Sequence, residues 1–216
     1  GGSAAYPEGP GLNIPINMSV AFHSDAGCYP TDKLVGTFMF YTIKDDDKET
    51  TYPAGGDRIC NRDFADFIQT QIVEDIRHTM MPTWQKRHLM HQSMSETRNP
   101  KVPSTIIELL SHHNYYDMTF GLDPKFKFIA SRAIYKGMLR FIHQTTGTPY
   151  VVQPLPVQQM NVTYANNDTL QIRWAERVDR LEPTATPSYY VLYTRTSQLK
   201  DGEWQTTDWD NGVMVK

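Results

Sequence analysis

Only two cysteines, Cys28 and Cys60, occur in the 216 residues. They lie too far apart for a Cys-x-x-Cys redox pair or a zinc knuckle, and two are too few for a small disulfide scaffold. They read as buried thiols, with a disulfide between them as the alternative. Charge of one sign is also lacking: Lys plus Arg is 21 against Asp plus Glu at 24, a net of −3. No positive field is present to attract a polyphosphate backbone, so nucleic acid is excluded as a partner class. No apolar run approaches the roughly 18 residues needed to cross a bilayer, and the first residues lack a charged start followed by an apolar stretch. The chain therefore shows neither a membrane span nor a signal peptide. Its first residue is Gly and it opens in the turn-rich stretch Gly1-Gly2-Ser3 to Pro10-Gly11, so the N-terminus is expected to be cut and export is not legible.

What is present is enough apolar material for a core, with 39% hydrophobic and 12% aromatic residues. Met18–His23 reads as a buried strand running into the polar Ser24-Asp25-Ala26-Gly27, and Val35–Ile43 as a second strand. Asp45-Asp46-Asp47-Lys48-Glu49 reads as a solvated turn, because a calcium loop would need acids at alternating positions with a glycine and a distal Glu. Phe64, Ile68, Ile72, Ile76 and Met80 form an i, i+4 ladder, which predicts an amphipathic helix with Asn61 as N-cap and Pro82 past its end. A polar stretch, Trp84–Arg98, follows. Pro103 then introduces Thr105–Leu110, a strand rich in β-branched residues. Asp123-Pro124 is an N-cap with proline at the first helical position, and the apolar face from Phe126 to Phe141 predicts a helix closing at Gly147. Strands alternating with helices predict an α/β layer structure with a mostly parallel or mixed sheet and flanking helices.

Composition shifts at Thr148-Pro149. Beyond it the short aromatic segments Met160–Tyr164, Thr169–Trp174, Tyr189–Thr194 and Glu203–Trp209 alternate with turn residues, the signal of an all-β sandwich. Residues 153–216 resemble a fibronectin type III domain, with Pro154 and Pro156 at entry, Leu170 and Trp174 on one strand and Tyr189-x-Val191-x-Tyr193 on the next. They are fewer than the roughly 100 residues of such a sandwich, so its later strands are expected beyond Lys216. Two domains are expected, 1–147 and 153–216.

Glu108 interrupts Ile106-Ile107 and Leu109-Leu110. An ionised carboxylate costs several kcal/mol to bury, so the residue is either an edge or loop-facing acid or a functional one. His23 ends an apolar strand and reads as a structural histidine or a metal ligand. Both strands would present their carboxyl ends at one edge of an open α/β sheet, where ligands bind.

The segment Ala21-Phe22-His23-Ser24-Asp25-Ala26 resembles the strand of zinc-dependent N-acetylmuramoyl-L-alanine amidases whose histidine is a zinc ligand. Gly36–Tyr41, the helix at Phe64–Met80, Pro103–Ser111 and the helix at Pro124–Gln144 resemble the family's following elements, in order, over about residues 18–145. The resemblance implies that His23 ligates zinc and that Glu108 is the catalytic acid/base. It also implies hydrolysis of the amide between N-acetylmuramic acid and L-alanine, peptidoglycan or a related glycan as partner, and a periplasmic or extracellular location. The family's other two zinc ligands, a histidine and a glutamate, lie upstream of this motif. Here no histidine precedes His23, and Glu8 is the only acid before it. The chain is thus expected to be the C-terminal part of such a domain, inactive by itself, with those ligands on a segment not included. Arg98 is a candidate to pair with a peptide carboxylate, with an exposed structural role as the alternative. His112 and His113 follow the Glu108 strand and read as groove residues, His112 being the candidate substrate contact. Two other readings stand beside this one. A zinc carboxypeptidase-like hydrolase would need an Asn-Arg pair before His23, whereas Asn61-Arg62 comes after it; a metal-free wall- or glycan-binding module would need no ligand set.

Overall fold

The i, i+4 ladder becomes helix α1 (Cys60–Thr79), on which Phe64, Ile68, Ile72 and Ile76 are fully buried in the computed structural model of the chain. Each such side chain contributes about 2 kcal/mol of hydrophobic stabilisation. The structure describes residues 14–26, 30 and 32–215; Cys28 and Glu8 lie outside them. The chain divides into two compact units, Gly1–Tyr150 and Val151–Lys216.

The first unit holds a four-stranded mixed sheet built from β1 (Ser19–Asp25), β2 (Thr37–Tyr41), β3 (Lys86–His91) and β4 (Ser104–Ser111), in the order β1-β4-β2-β3. β1 runs parallel to β4, β4 antiparallel to β2, and β2 parallel to β3. Alternation along the strands sorts residues onto two faces. Met39 and Ile107 are ladder partners on the face covered by α1 and join the core with Leu109, Trp84 and Phe126. His23, Glu108 and Phe38 are ladder partners on the opposite face.

Three further helices follow: α2 (Ser95–Arg98), α3 (Tyr115–Gly121) and α4 (Pro124–Thr146). α4 starts as its sequence predicts, with Asp123 accepting from the Lys125 N–H, and ends at Gly147 in the left-handed region (φ 72°). It packs along α1 so closely that a Cβ on Gly137 would lie 2.7 Å from the Ile68 Cα. Beside this contact the buried Lys136 ammonium meets Asp75 at 2.7 Å.

Two buried polar side chains fix the ends of β4. Asn61 accepts from the Ser104 N–H and the Tyr52 hydroxyl and donates to the Thr42 carbonyl. It is not the N-cap that its position suggested: α1 begins one residue before it, after Ile59, and the amide is committed to joining β2 and β4. At the other end Asp117 accepts from the N–H groups of Val35, Gly36 and Ser111. The acidic run differs from expectation at its first residue. Asp45 is buried rather than solvated, accepting from the Asp47 and Glu49 N–H groups and pairing with the fully buried Arg58 at 3.3 Å.

In the second unit β5 (Gln158–Asn166) pairs with β6 (Thr169–Ala175), β7 (Tyr190–Leu192) with β10 (Val213–Val215), and β8 (Ser197–Lys200) with β9 (Glu203–Thr206), all antiparallel. The β8–β9 turn places Asp201 and Gly202 at φ 53° and 84°, the paired positive values of a tight hairpin. Among the described residues these strands make three two-stranded sheets rather than the two facing sheets of a sandwich.

Candidate functional site

Parallel pairing of β1 with β4 sets His23 opposite Glu108, and antiparallel pairing with β2 sets Phe38 on the other side of the acid. Glu108 is half-buried, and its Oε2 is buried with no hydrogen-bond partner. Burial lifts its carboxyl above the ordinary glutamate value, and the Asp25 carboxylate adds to the lift. His23, Arg87 and His112 pull the other way without cancelling it. A carboxyl group kept out of water, raised, and with one oxygen unengaged is poised to exchange a proton with a ligand.

His23 Nε2 lies 3.2 Å from Glu96 Oε1 on α2, both side chains being about two-fifths exposed. His112 Nδ1 is 2.9 Å from the Ser24 hydroxyl, and its ring stands edge-on to His113 at 4.6 Å. Asp25 pairs with Arg87 of β3 at 2.6 Å. A cleft of about 720 Å³ opens beside β1, lined by Phe22, Ser24, His112, Met118, Phe126 and Lys127. The fold thus gathers His23, Glu108 and His112. Arg98 is not gathered with them: its guanidinium pairs with Asp46 and donates to Ser93, neither of which belongs to the group around Glu108.

The solved structures similar to this chain include N-acetylmuramoyl-L-alanine amidases. One from Clostridium difficile 630 is 16% identical, with a TM-score of 0.47 over 60% of this chain and 59% of its own. AmiC2 of Nostoc punctiforme is 15% identical, with a TM-score of 0.46 over 59% of this chain and 58% of its own. The CwlD amidase of Clostridioides difficile, solved in complex with the GerS lipoprotein, is 20% identical, with a TM-score of 0.46 over 61% and 57%. The chain thus spans less than two thirds of the length of each of these amidases. No family model and no curated protein matches it.

A catalytic zinc takes three protein ligands and an open position. His23 Nε2 and Glu96 Oε1 lie within reach of each other, and among the described residues no group of three or more His, Cys, Asp or Glu is arranged so that it could hold a metal ion. These residues do not make up a zinc site by themselves. Glu96, Arg87 and Asp25 are the site residues that sequence reasoning missed. Asp25 lies two residues after His23 on β1, whereas Glu96 on α2 and Arg87 on β3 come from elements remote in sequence, and only the recognition of β3 as a strand would have drawn attention to Arg87.

Proposed function

We propose that this chain carries the acid/base half of a peptidoglycan amidase, acting on the amide between N-acetylmuramic acid and L-alanine. The observation that supports the reading is Glu108: a half-buried carboxyl, raised by burial, with Oε2 free of hydrogen bonds, on the sheet face opposite α1 and in register with His23. The ordered motifs over about residues 18–145 resemble the amidases in the same places.

In this reading Glu108, once ionised, takes a proton from the attacking water, and its raised affinity for that proton strengthens it as a base. The protonated acid then returns the proton to the departing alanine nitrogen, so that the bond to the lactyl carbon breaks with a neutral amine leaving. His23 is the ligand this chain offers to zinc. The described residues do not complete the donor set, and no step here passes through a metal. A periplasmic or extracellular location belongs to the same reading. Among the described residues no helix is long and apolar enough to cross a membrane.

The experiment is metal analysis coupled to digestion of muropeptides, scored by mass spectrometry for free stem peptide. By itself the chain is expected to bind zinc weakly, since affinity needs a complete, deprotonated donor set. In the parent protein Glu108→Gln should keep the metal and lower turnover by roughly 10²–10⁴, while His23→Ala should lose both metal and turnover. Equal turnover in Glu108→Gln and wild type would remove the acid/base assignment. The second reading is a metal-free glycan-binding module on the same framework. Muropeptide binding without hydrolysis by the parent protein, at saturating zinc, selects it.

A further inference from the structure

Between the ladder partners Thr37–Lys86 and Met39–Leu89, β2 contributes one residue, Phe38, and β3 contributes two, Arg87 and His88. Such a bulge re-aims side chains, and bulges concentrate beside active sites. This one is held in place from the helix side: the fully buried amide of Gln69 on α1 donates to the carbonyls of Thr37 at 3.0 Å and Arg87 at 2.8 Å. Arg87 is thereby set over the Phe38 ring, its Cζ 4.7 Å from the centroid, while the His88 ring lies 5.0 Å from the same ring. Its Nη1 then reaches Asp25 at 2.6 Å. Since β1 and β3 are the two edges of the sheet, that ion pair spans β2 and β4, the strand that carries Glu108.

A guanidinium has five N–H donors in a planar fork. Among the described residues the side chain of Arg87 has one hydrogen-bond acceptor, the Asp25 carboxylate, and is 24% exposed. The aromatic ring and the bulge hold it in place, so little freedom is lost when a second acceptor arrives. We propose that Arg87 is a specificity-determining residue that binds a single carboxylate on the substrate, and hence that the site selects an acidic peptide next to the amide it cuts. This rests on the amide-hydrolysis reading above. A planar carboxylate matches the fork with two parallel hydrogen bonds. A doubly charged phosphate is disfavoured, because the carboxylates of Asp25 and Glu108 already lie close to Arg87. In the free protein Asp25 occupies part of the fork and competes with the substrate.

The test is an NMR titration of the full chain with N-acetylmuramoyl-L-alanyl-D-glutamic acid and, separately, with the same compound bearing an amide in place of the α-carboxyl. The acid should bind about tenfold tighter than the amide, the scale of a hydrogen bond between charged groups. Arg87→Met should bring the two affinities together, Arg87→Lys should restore only part of the difference, and the surface variant Arg62→Met should preserve it. Asp25→Asn, which removes the competitor, should raise affinity for the acid several-fold and leave the amide unchanged. A gain of that kind cannot come from misfolding. Equal affinities for acid and amide in the unmodified chain, or a preference that survives Arg87→Met, overturn the proposal and leave the amidase reading standing. Binding of neither compound at millimolar concentration overturns this proposal, whereas the amidase reading stands or falls on turnover by the parent protein.

Discussion

Glu108 weakens the fold that holds it. Its carboxyl is raised above the ordinary value, chiefly by burial, so the ionised form is penalised in the native state. The stability that its protonated form supplies is complete below the ordinary glutamate value and is lost as pH rises through the raised one. Glu108→Gln never ionises. At pH 7 the variant is therefore expected to melt higher than wild type, by roughly 1–3 °C for a domain of this size, and the gap should close as pH falls below about 4. Thermal melts across pH 3 to 8 measure this, and a gap independent of pH would show that ionisation is not its source. That Glu108 was visible in the sequence at all follows from the same cost, because a carboxylate among Ile106, Ile107, Leu109 and Leu110 stands out. Glu96 sits in a polar stretch where one more charge carries no signal, and only the fold brings it to His23.

At the scale of elements, α1 and α4 are joined by a buried ion pair beside a glycine contact. Asp75 also accepts from Gln71, so removing Lys136 would strand a charge that has little water to turn to. Lys136→Met is expected to cost about 3 kcal/mol in denaturant unfolding, with Asp75→Asn added to it recovering more than half. A loss under 1 kcal/mol in the single variant would mean that Gln71 and penetrating water suffice. Both helices were legible because a buried stripe at helical spacing has no other use. β3 was not, since Lys86, Arg87, His88 and His91 give an edge strand no apolar alternation. α3 carried a signal that went unread: Asn114 caps it by accepting from the Asp117 N–H, three residues on.

At the scale of the whole molecule, the two units differ in what protects their backbone. α1 and β4 lie under a continuous core, whereas β5, β8 and β9 expose nearly every side chain, including Tyr164 at 78% and Trp204 at 71%. Isolated two-stranded sheets are marginal in water. Native-state hydrogen exchange should therefore show residues 153–216 exchanging well before α1 and β4. If the unit is protected by pairing with another copy, dilution should speed its exchange. Protection across 160–194 equal to that of β4 and independent of concentration would remove the picture of a weaker unit. Of the six strands of this half, β5, β6, β7 and β9 were readable from alternation and turns, while the short β8 and β10 and all the pairings were not, because pairing depends on surfaces that no local pattern encodes.

The pairing pattern also sets an order of events. In β8–β9 the hydroxyls of Ser197 and Thr206 meet across 9 residues of chain, while Ser24 and His112 at the candidate site meet across 88. Hairpins of the first kind close in microseconds, and parallel strands of the second kind must first close a long loop at an entropic cost. On refolding, the β8–β9 hairpin is therefore expected to form early, and His23 to face Glu108 only after the long loop between β1 and β4 has closed.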